Sequence, residues 1–295
     1  MVLSLTQQAA EQANLNAKQL EQLAQIAKSS AERGGQELMR HYGRLSTVES
    51  KGRAGDLVTN ADLAAEAIVL EALRNETPEI AILAEESGSE GEQDGLRWCI
   101  DPLDGTTNFA HGYPFFATSI GLTFRQQPIL GAICVPFLGE TFWGAPGLGV
   151  FCNAKPIRTT DCCNLADSLL VTGFAYDRHT RLDNNYAEFC WFTHRTHGVR
   201  RGGAAAVDLA FVAAGRQDGY WERGLSPWDL AAGVALVDLA GGSISGYRGE
   251  AFDLCSGRVV AANPMLHALM IQELAQIKPL RGDDFGAPEI TAMGS

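Results

Sequence analysis

Apolar positions near the start of the chain recur at helical spacing. Leu20, Leu23, Ala24, Ala27 and Ala31 share one face, which predicts an amphipathic helix over roughly residues 16 to 42, weakened at Gly34 and Gly35. A second helix follows, with Asn60 placed to cap it. Leu63, Ala64, Ala67, Ile68 and Leu73 form its apolar stripe beside charged positions such as Glu71, and Pro78 ends it. The period then shortens. Apolar runs at 80–84, 96–100, 115–124, 129–135 and 141–145 read as strands in quick succession, which favours a mostly antiparallel sheet covered by the two helices. In the second half, 168–174 and 218–222 read as strands, and 203–214, 227–240 and 264–276 as helices. Pro227 after Ser226, and Gly241 with Gly242, are the expected start and stop signals of the middle one. The pattern is mixed α and β, arranged in layers.

Composition narrows the class. The chain has 295 residues, 46% hydrophobic and 20% charged, enough for one large domain or two fused lobes to bury a core without disulfides. Its formal charge of −12 repels a phosphate backbone, so nucleic acid is not expected as the main partner. The charge is also local: residues 51–110 hold 13 acids and 4 bases, a net of −9, and such clustering either stays solvated or binds cations. The seven cysteines include no Cys-x-x-Cys pair, which points to a reducing cytosol, with Cys99 and Cys134 as buried hydrophobes inside apolar runs. No basic leader with an apolar stretch and no run of 18 apolar residues occurs, so neither export nor a membrane span is expected. The stretch from 276 to 295, rich in Gly and Pro without periodicity, reads as a loose tail.

Candidate chemistry sits in three acidic segments. In AEESG, Glu85 and Glu86 follow a buried strand and emerge at its end. In IDPLDGTTNF, Asp101 is expected to end a strand, Pro102 and Gly105 to force a turn, and Asp104 to return three residues later. Both carboxylates and the Leu103 carbonyl can then converge. Three hard oxygens without His or Cys suit Mg²⁺ better than Zn²⁺. Gly105, Thr106 and Thr107 add backbone N–H groups and hydroxyls able to hold a phosphate beside a metal. An Asp-x-x-Asp alone also describes a turn whose carboxylates cap backbone donors, and Asp229 in SPWDLAAG, at the start of a helix, also describes ordinary helix capping.

Taken together, DPLDGTTNF, PWDLAAG and the earlier KGRAGDLVTNAD resemble the inositol monophosphatase family, with the likeness running from about residue 20 to 275. The resemblance implies an α+β fold, a layered α-β-α-β-α sandwich, as a single catalytic unit of two fused lobes, about 1–150 and 151–275. It implies that Glu85, Asp101 and the Leu103 carbonyl bind one Mg²⁺, that Asp101, Asp104 and Asp229 bind a second, and that a third, weaker ion lies near Glu85. Gly105 and Thr106 would contact the phosphate, and Thr106 with Asp62 would orient the attacking water, while Lys51 lies in a loop near the metals. By the same match, Gly203, Ala205 and Glu222 would line the substrate pocket beside Asp104 and Asp229, with Glu222 accepting from ring hydroxyls. A phosphate beside so many acids needs bridging cations, and an activated water can then attack phosphorus without a covalent intermediate.

The likeness is strongest to bacterial and plastid-type inositol-1-phosphatases, which implies hydrolysis of inositol 1-phosphate, a cytoplasmic setting and a homodimer. The aromatic stretch FCWFTHRTHG at 189–198 is a candidate interface or a piece of core. One departure stands in the pocket segment: Ala204 occupies a position where relatives often carry Thr or Ser. Histidinol phosphate is a rival substrate because an ammonium would also pair with Glu222. Fructose 1,6-bisphosphate is another, because Arg178, Arg200 or Arg201 are placed to hold a distal phosphate. A non-catalytic, cation-binding scaffold is the alternative of another class; it would be marked by a lost ligand position, and each position named above keeps a competent side chain.

Overall fold

The computed structural model describes residues 3–52, 57–92 and 94–280. Helices α1 (Leu5–Gln12), α2 (Ala17–His41) and α3 (Asn60–Glu76) cover one face of an eight-stranded sheet, with a short hairpin of β1 (Val48–Ser50) and β2 (Leu57–Thr59) between the second and third. The sheet contains β3 (Ala81–Ala84), β4 (Gly88–Glu90), β5 (Leu96–Asp104), β6 (Ala117–Phe124), β7 (Gln127–Val135), β8 (Glu140–Ala145), β9 (Gly149–Cys152) and β10 (Lys155–Pro156). The short helix α4 (Thr106–Ala110) follows β5. Strand order is β10-β9-β8-β7-β6-β5-β3-β4. Only the β3–β5 pair is parallel, so the mostly antiparallel expectation holds.

Three local readings change. Helix α2 runs unbroken through Gly34 and Gly35, because those glycines are where it presses on the sheet. A Cβ on Gly34 would stand 2.8 Å from Thr118, and one on Gly35 2.7 Å from the Cys134 sulfur, so close packing offsets the helix penalty of about 1 kcal/mol per glycine. Helix α3 is capped by Thr59, not Asn60. The Thr59 hydroxyl accepts the Ala61 N–H at 3.1 Å while the Asp62 carboxylate accepts the Thr59 N–H at 2.9 Å, a reciprocal cap that buries Asp62 in the first turn. Asn60 instead takes the N–H groups of Ser46 and Thr47. Finally, β5 does not end at Asp101 but continues to Asp104, with a slip of register between the two. Pro102 brings no N–H to the ladder, and the resulting irregularity re-aims the acids.

The second half forms a five-stranded sheet from β11 (Leu169–Thr172), β12 (Gly198–Arg200), β13 (Gly219–Arg223), β14 (Ser243–Ser245) and β15 (Arg258–Ala262), in the order β12-β11-β13-β15-β14. Helices α6 (Ala205–Ala213) and α7 (Pro227–Leu239) lie between the two sheets, whereas α5 (Tyr186–Arg195) and α8 (Pro264–Leu274) pack outside the smaller one. The layer order is therefore α-β-α-β-α. Strand periodicity sorts the side chains: Trp98 and Ile100 face α2 and α3 while Cys99 faces the middle helices, and Tyr220 faces the middle layer while Trp221 faces Phe192 and Met270 outside. The aromatic stretch at 189–198 thus supplies core through Phe192. Cys99 and Cys134 are buried as expected.

The middle layer fixes the site. Gly121 and Gly131 let α7 lie almost on the sheet, since a Cβ on either would come within 2.6 Å of the Ala232 backbone. At the far end of α7, Asp238 accepts the N–H groups of Leu5 and Thr6 and the Thr6 hydroxyl at 2.7 to 3.2 Å, so the start of α1 is capped by α7. No described helix is long and apolar enough to cross a membrane. From residue 281 onward, the stretch read as a tail lies outside the described residues.

Candidate active site

Ala84 on β3 pairs with Ile100 on β5 in parallel register. The next residues, Glu85 and Asp101, therefore stand side by side, Glu85 just past the end of β3 and Asp101 still within β5. Asp104 closes β5, and α7 begins two residues before Asp229, with Ser226 as its cap. Asp101, Asp104 and Asp229 each present an oxygen within 4.8 Å of the others. Each is also anchored by backbone donors. Asp101 Oδ1 accepts the Leu103 N–H at 3.0 Å, Asp229 Oδ2 accepts that of Ser226 at 2.7 Å, and Asp104 accepts those of Ala205 and Ala206 at 3.1 and 2.8 Å. Turn and helix capping are thus real, and they aim the carboxylates at one point. Asp104 also serves as the cap that α6 lacks, because the N-cap residue Ala204 has no polar side chain to accept a hydrogen bond.

So many acids in one place are not comfortable as anions. Burial, followed by the charges of Glu85, Asp104 and Asp229, pushes Asp101 well above the carboxylate range. Burial lifts Asp104 to about 7 against the opposing pull of the α6 N–H groups. Burial and the Asp104 charge lift Asp229 to about 7. A divalent cation would oppose all three shifts. The donors are hard oxygens with no His or Cys among them, which suits Mg²⁺ or a similar ion rather than a soft metal.

Lys51 closes one side. Its Nζ donates to Glu85 Oε1 at 2.8 Å and to Glu86 Oε1 at 2.5 Å. Burial pulls the ammonium pKa down, but these two partners hold it above its ordinary value. Residues 53–56 of the matching early segment lie outside the described residues. Glu66, not singled out from sequence, accepts the Glu86 N–H at 3.0 Å and steadies this wall.

Beside the acids, Gly105 adopts φ +93° and admits the close turn into α4; a Cβ there would stand 3.0 Å from the Phe115 carbonyl. The Thr106 hydroxyl lies 3.0 Å from both Asp62 Oδ1 and the Leu103 carbonyl oxygen. Asp62 does not line the cavity but sits fully buried beneath Thr106. Its Oδ2 is already occupied by the N–H and hydroxyl of Thr59, at 2.9 and 2.6 Å. Oδ1 is left to receive Thr106.

The acids open into a cavity of about 740 Å³ that Gly203, Ala205 and Glu222 also line. The supports behind them were not anticipated: Tyr220 donates its hydroxyl to Glu222 Oε2 at 2.7 Å, and Gly173 leaves the space the carboxylate occupies, since a Cβ there would lie 2.2 Å from its oxygens. Both were findable, Tyr220 from strand period 2 and Gly173 from its place at the end of a strand. Arg178 and Arg201 line the same cavity, and among the described residues neither forms an ion pair.

The inositol monophosphatase family model matches residues 19–278. Inositol-1-monophosphatase of Synechocystis sp. is 51% identical over 252 residues, covering 85% of this chain and 88% of that protein. A fructose-1,6-bisphosphatase/inositol-1-monophosphatase of Aquifex aeolicus is 36% identical over 255 residues, 86% of this chain and 95% of that protein. Among solved structures, inositol monophosphatase from Anabaena (Nostoc) sp. superposes with a TM-score of 0.81 at 48% identity, over 88% of this chain and 98% of that one.

Proposed function

The chain belongs to the inositol monophosphatase family and is a phosphoric monoester hydrolase, and on that premise we propose that it hydrolyses inositol 1-phosphate to inositol and phosphate with Mg²⁺ by direct attack of water. The observation that carries this reading is the convergence of three carboxylates, two buried and one half-buried, within 4.8 Å in a cavity that Glu222 also lines. Glu85, Asp101, the Leu103 carbonyl, Asp104 and Asp229 would hold two to three Mg²⁺ ions. Bound there, the ions offset phosphate charge and make an attacking water more acidic. Thr106, donating to Asp62 Oδ1, turns its own lone pair toward the cavity and can accept a hydrogen bond from that water. Gly105 and Thr106 offer N–H groups at the start of α4 to the phosphate, and Glu222 accepts from a polyol hydroxyl. Lys51 orients Glu85 and opposes the rise that burial imposes on its pKa, until a cation competes for it. A homodimer in a reducing cytosol completes the reading, supported by the resemblance and by seven free cysteines.

A second reading is favoured by one observation. Arg178 and Arg201, which line the same cavity and form no ion pair among the described residues, suit a second phosphate such as that of fructose 1,6-bisphosphate. Phosphate release from inositol 1-phosphate, histidinol phosphate and fructose 1,6-bisphosphate, measured side by side with Mg²⁺, separates these. We expect kcat/KM for inositol 1-phosphate to lead by more than about tenfold, a discrimination that one or two good polar contacts supply. A lead for the bisphosphate selects the second reading, and a lead for histidinol phosphate overturns both pocket assignments.

A further inference from the structure

We propose that Tyr220 is a positioning residue that sets the polyol selectivity of this enzyme by holding one oxygen of Glu222 so that the other faces the ligand. The inference rests on the reading of Glu222 as the polyol contact given above. Positions 220 and 222 stand two apart on β13, so their side chains share a face and lean toward the same space between the sheets. Tyr220 is wholly buried and lines no part of the cavity, whereas Glu222 does line it. The phenol O–H donates to Oε2 at 2.7 Å, and among the described residues it is the one hydrogen-bond donor to that carboxylate. Gly173 leaves room for that position, because any Cβ there would overlap both oxygens. With Oε2 committed to the phenol, Oε1 is the acceptor available to a hydroxyl. Without the phenol, both carboxylate oxygens and a rotatable torsion would be free, and the acceptor would no longer be preorganised.

The surroundings make the phenol hard to replace. Asp208, on the first turn of α6 and 1% exposed, has its Oδ1 without a hydrogen-bond partner. Burial and the Glu222 charge push its pKa well above the ordinary carboxylate value, and Arg201 is the cation whose field reaches both. The phenol is thus a neutral donor among buried acids. It orders Glu222 without adding a charge that would draw the carboxylate out of the cavity wall.

The test compares inositol 1-phosphate with p-nitrophenyl phosphate, a monoester with no aliphatic hydroxyl, in the Mg²⁺-supplied enzyme. For Tyr220→Phe the ratio of kcat/KM for the polyol ester to that for the aryl ester should fall about tenfold, mainly through KM, as expected for losing one hydrogen bond to a charged group. Aryl ester turnover reports that the variant is folded and that the acid cluster works. Glu222→Gln tests the underlying reading: its ratio should fall at least as far, and the double variant no further than Glu222→Gln alone. A fall for Glu222→Gln with none for Tyr220→Phe overturns the role of Tyr220 and leaves the pocket assignment standing. An unchanged ratio for Glu222→Gln overturns the assignment itself. Equal losses on both esters, or additive effects in the double variant, reduce Tyr220 to core packing.

Discussion

Replacing Asp101 with Asn is expected to lower kcat/KM by at least about 10³-fold, comparable to or beyond the loss of a key electrostatic group in other active sites, while making the metal-free protein more heat-stable. The two effects share one cause. Asp101 is 2% exposed and faces Glu85, Asp104 and Asp229, so its charge serves a cation and is otherwise a burden on the fold. The amide keeps an oxygen for the Leu103 N–H, now at 3.0 Å, so the turn itself survives.

The pH dependence follows from the direction of the shifts. An acid whose pKa is raised on folding, such as Asp104 or Asp229 at about 7, keeps its proton in the native state after the unfolded chain has lost it near about 4. Over that interval the native state binds more protons, so stability falls as pH rises. The metal-free wild type should therefore melt lower at pH 8 than at pH 5 through this cluster. Asp101→Asn should melt above the wild type at pH 8, with the gap closing below about pH 4. Calorimetry in chelator, alongside turnover with Mg²⁺, checks both. A variant that keeps its activity, or that melts lower at pH 8, would make Asp101 a structural cap and not a ligand.

The second large effect is expected at Thr106. Thr106→Ala should reduce kcat by about 10²- to 10³-fold with KM little changed, because the hydroxyl is aimed by a buried partner at the cavity and not at a substrate carbon. Asp62→Asn should act through it. One Asp62 oxygen is spent on the N–H and hydroxyl of Thr59, and the other, 3.0 Å from the Thr106 hydroxyl, fixes where that proton goes. An amide nitrogen at this second position would donate instead of accept and reverse the orientation of Thr106. The double variant should be no slower than Thr106→Ala alone. Additive losses in kcat would separate the two residues into independent roles.

Much of this arrangement is legible before any coordinate. The acids stand at the ends of apolar strand runs and at a Ser-Pro helix start, and local rules place them there one by one. What those rules do not contain is the meeting of residue 229 with residues 101 and 104. It depends on how closely α7 lies on the sheet, and that in turn depends on Gly121 and Gly131, which in sequence look like interruptions of strands. Gly34 and Gly35 are the same lesson on α2: propensity argues for a weak point, and packing against Thr118 and Cys134 turns it into a contact. The one-residue shift of the α3 cap from Asn60 to Thr59 was equally hidden, since both are good caps, and it is settled by Asp62 returning its carboxylate to the Thr59 N–H. Asp104 as cap for α6 joins positions 101 and 102 residues apart, beyond the reach of any local signal. The distant support of Glu222 by Tyr220 needed only strand periodicity, and a reading focused on charged motifs passed over it.

The claim underneath all of these statements is that the carboxylate cluster exists to hold divalent cations for phosphate-ester hydrolysis. Exhaustive dialysis against EDTA, followed by assay of inositol 1-phosphate hydrolysis as Mg²⁺ is added back, tests it most directly. The account predicts no measurable turnover in chelator and full recovery with added Mg²⁺, whereas activity that survives the chelator would contradict it.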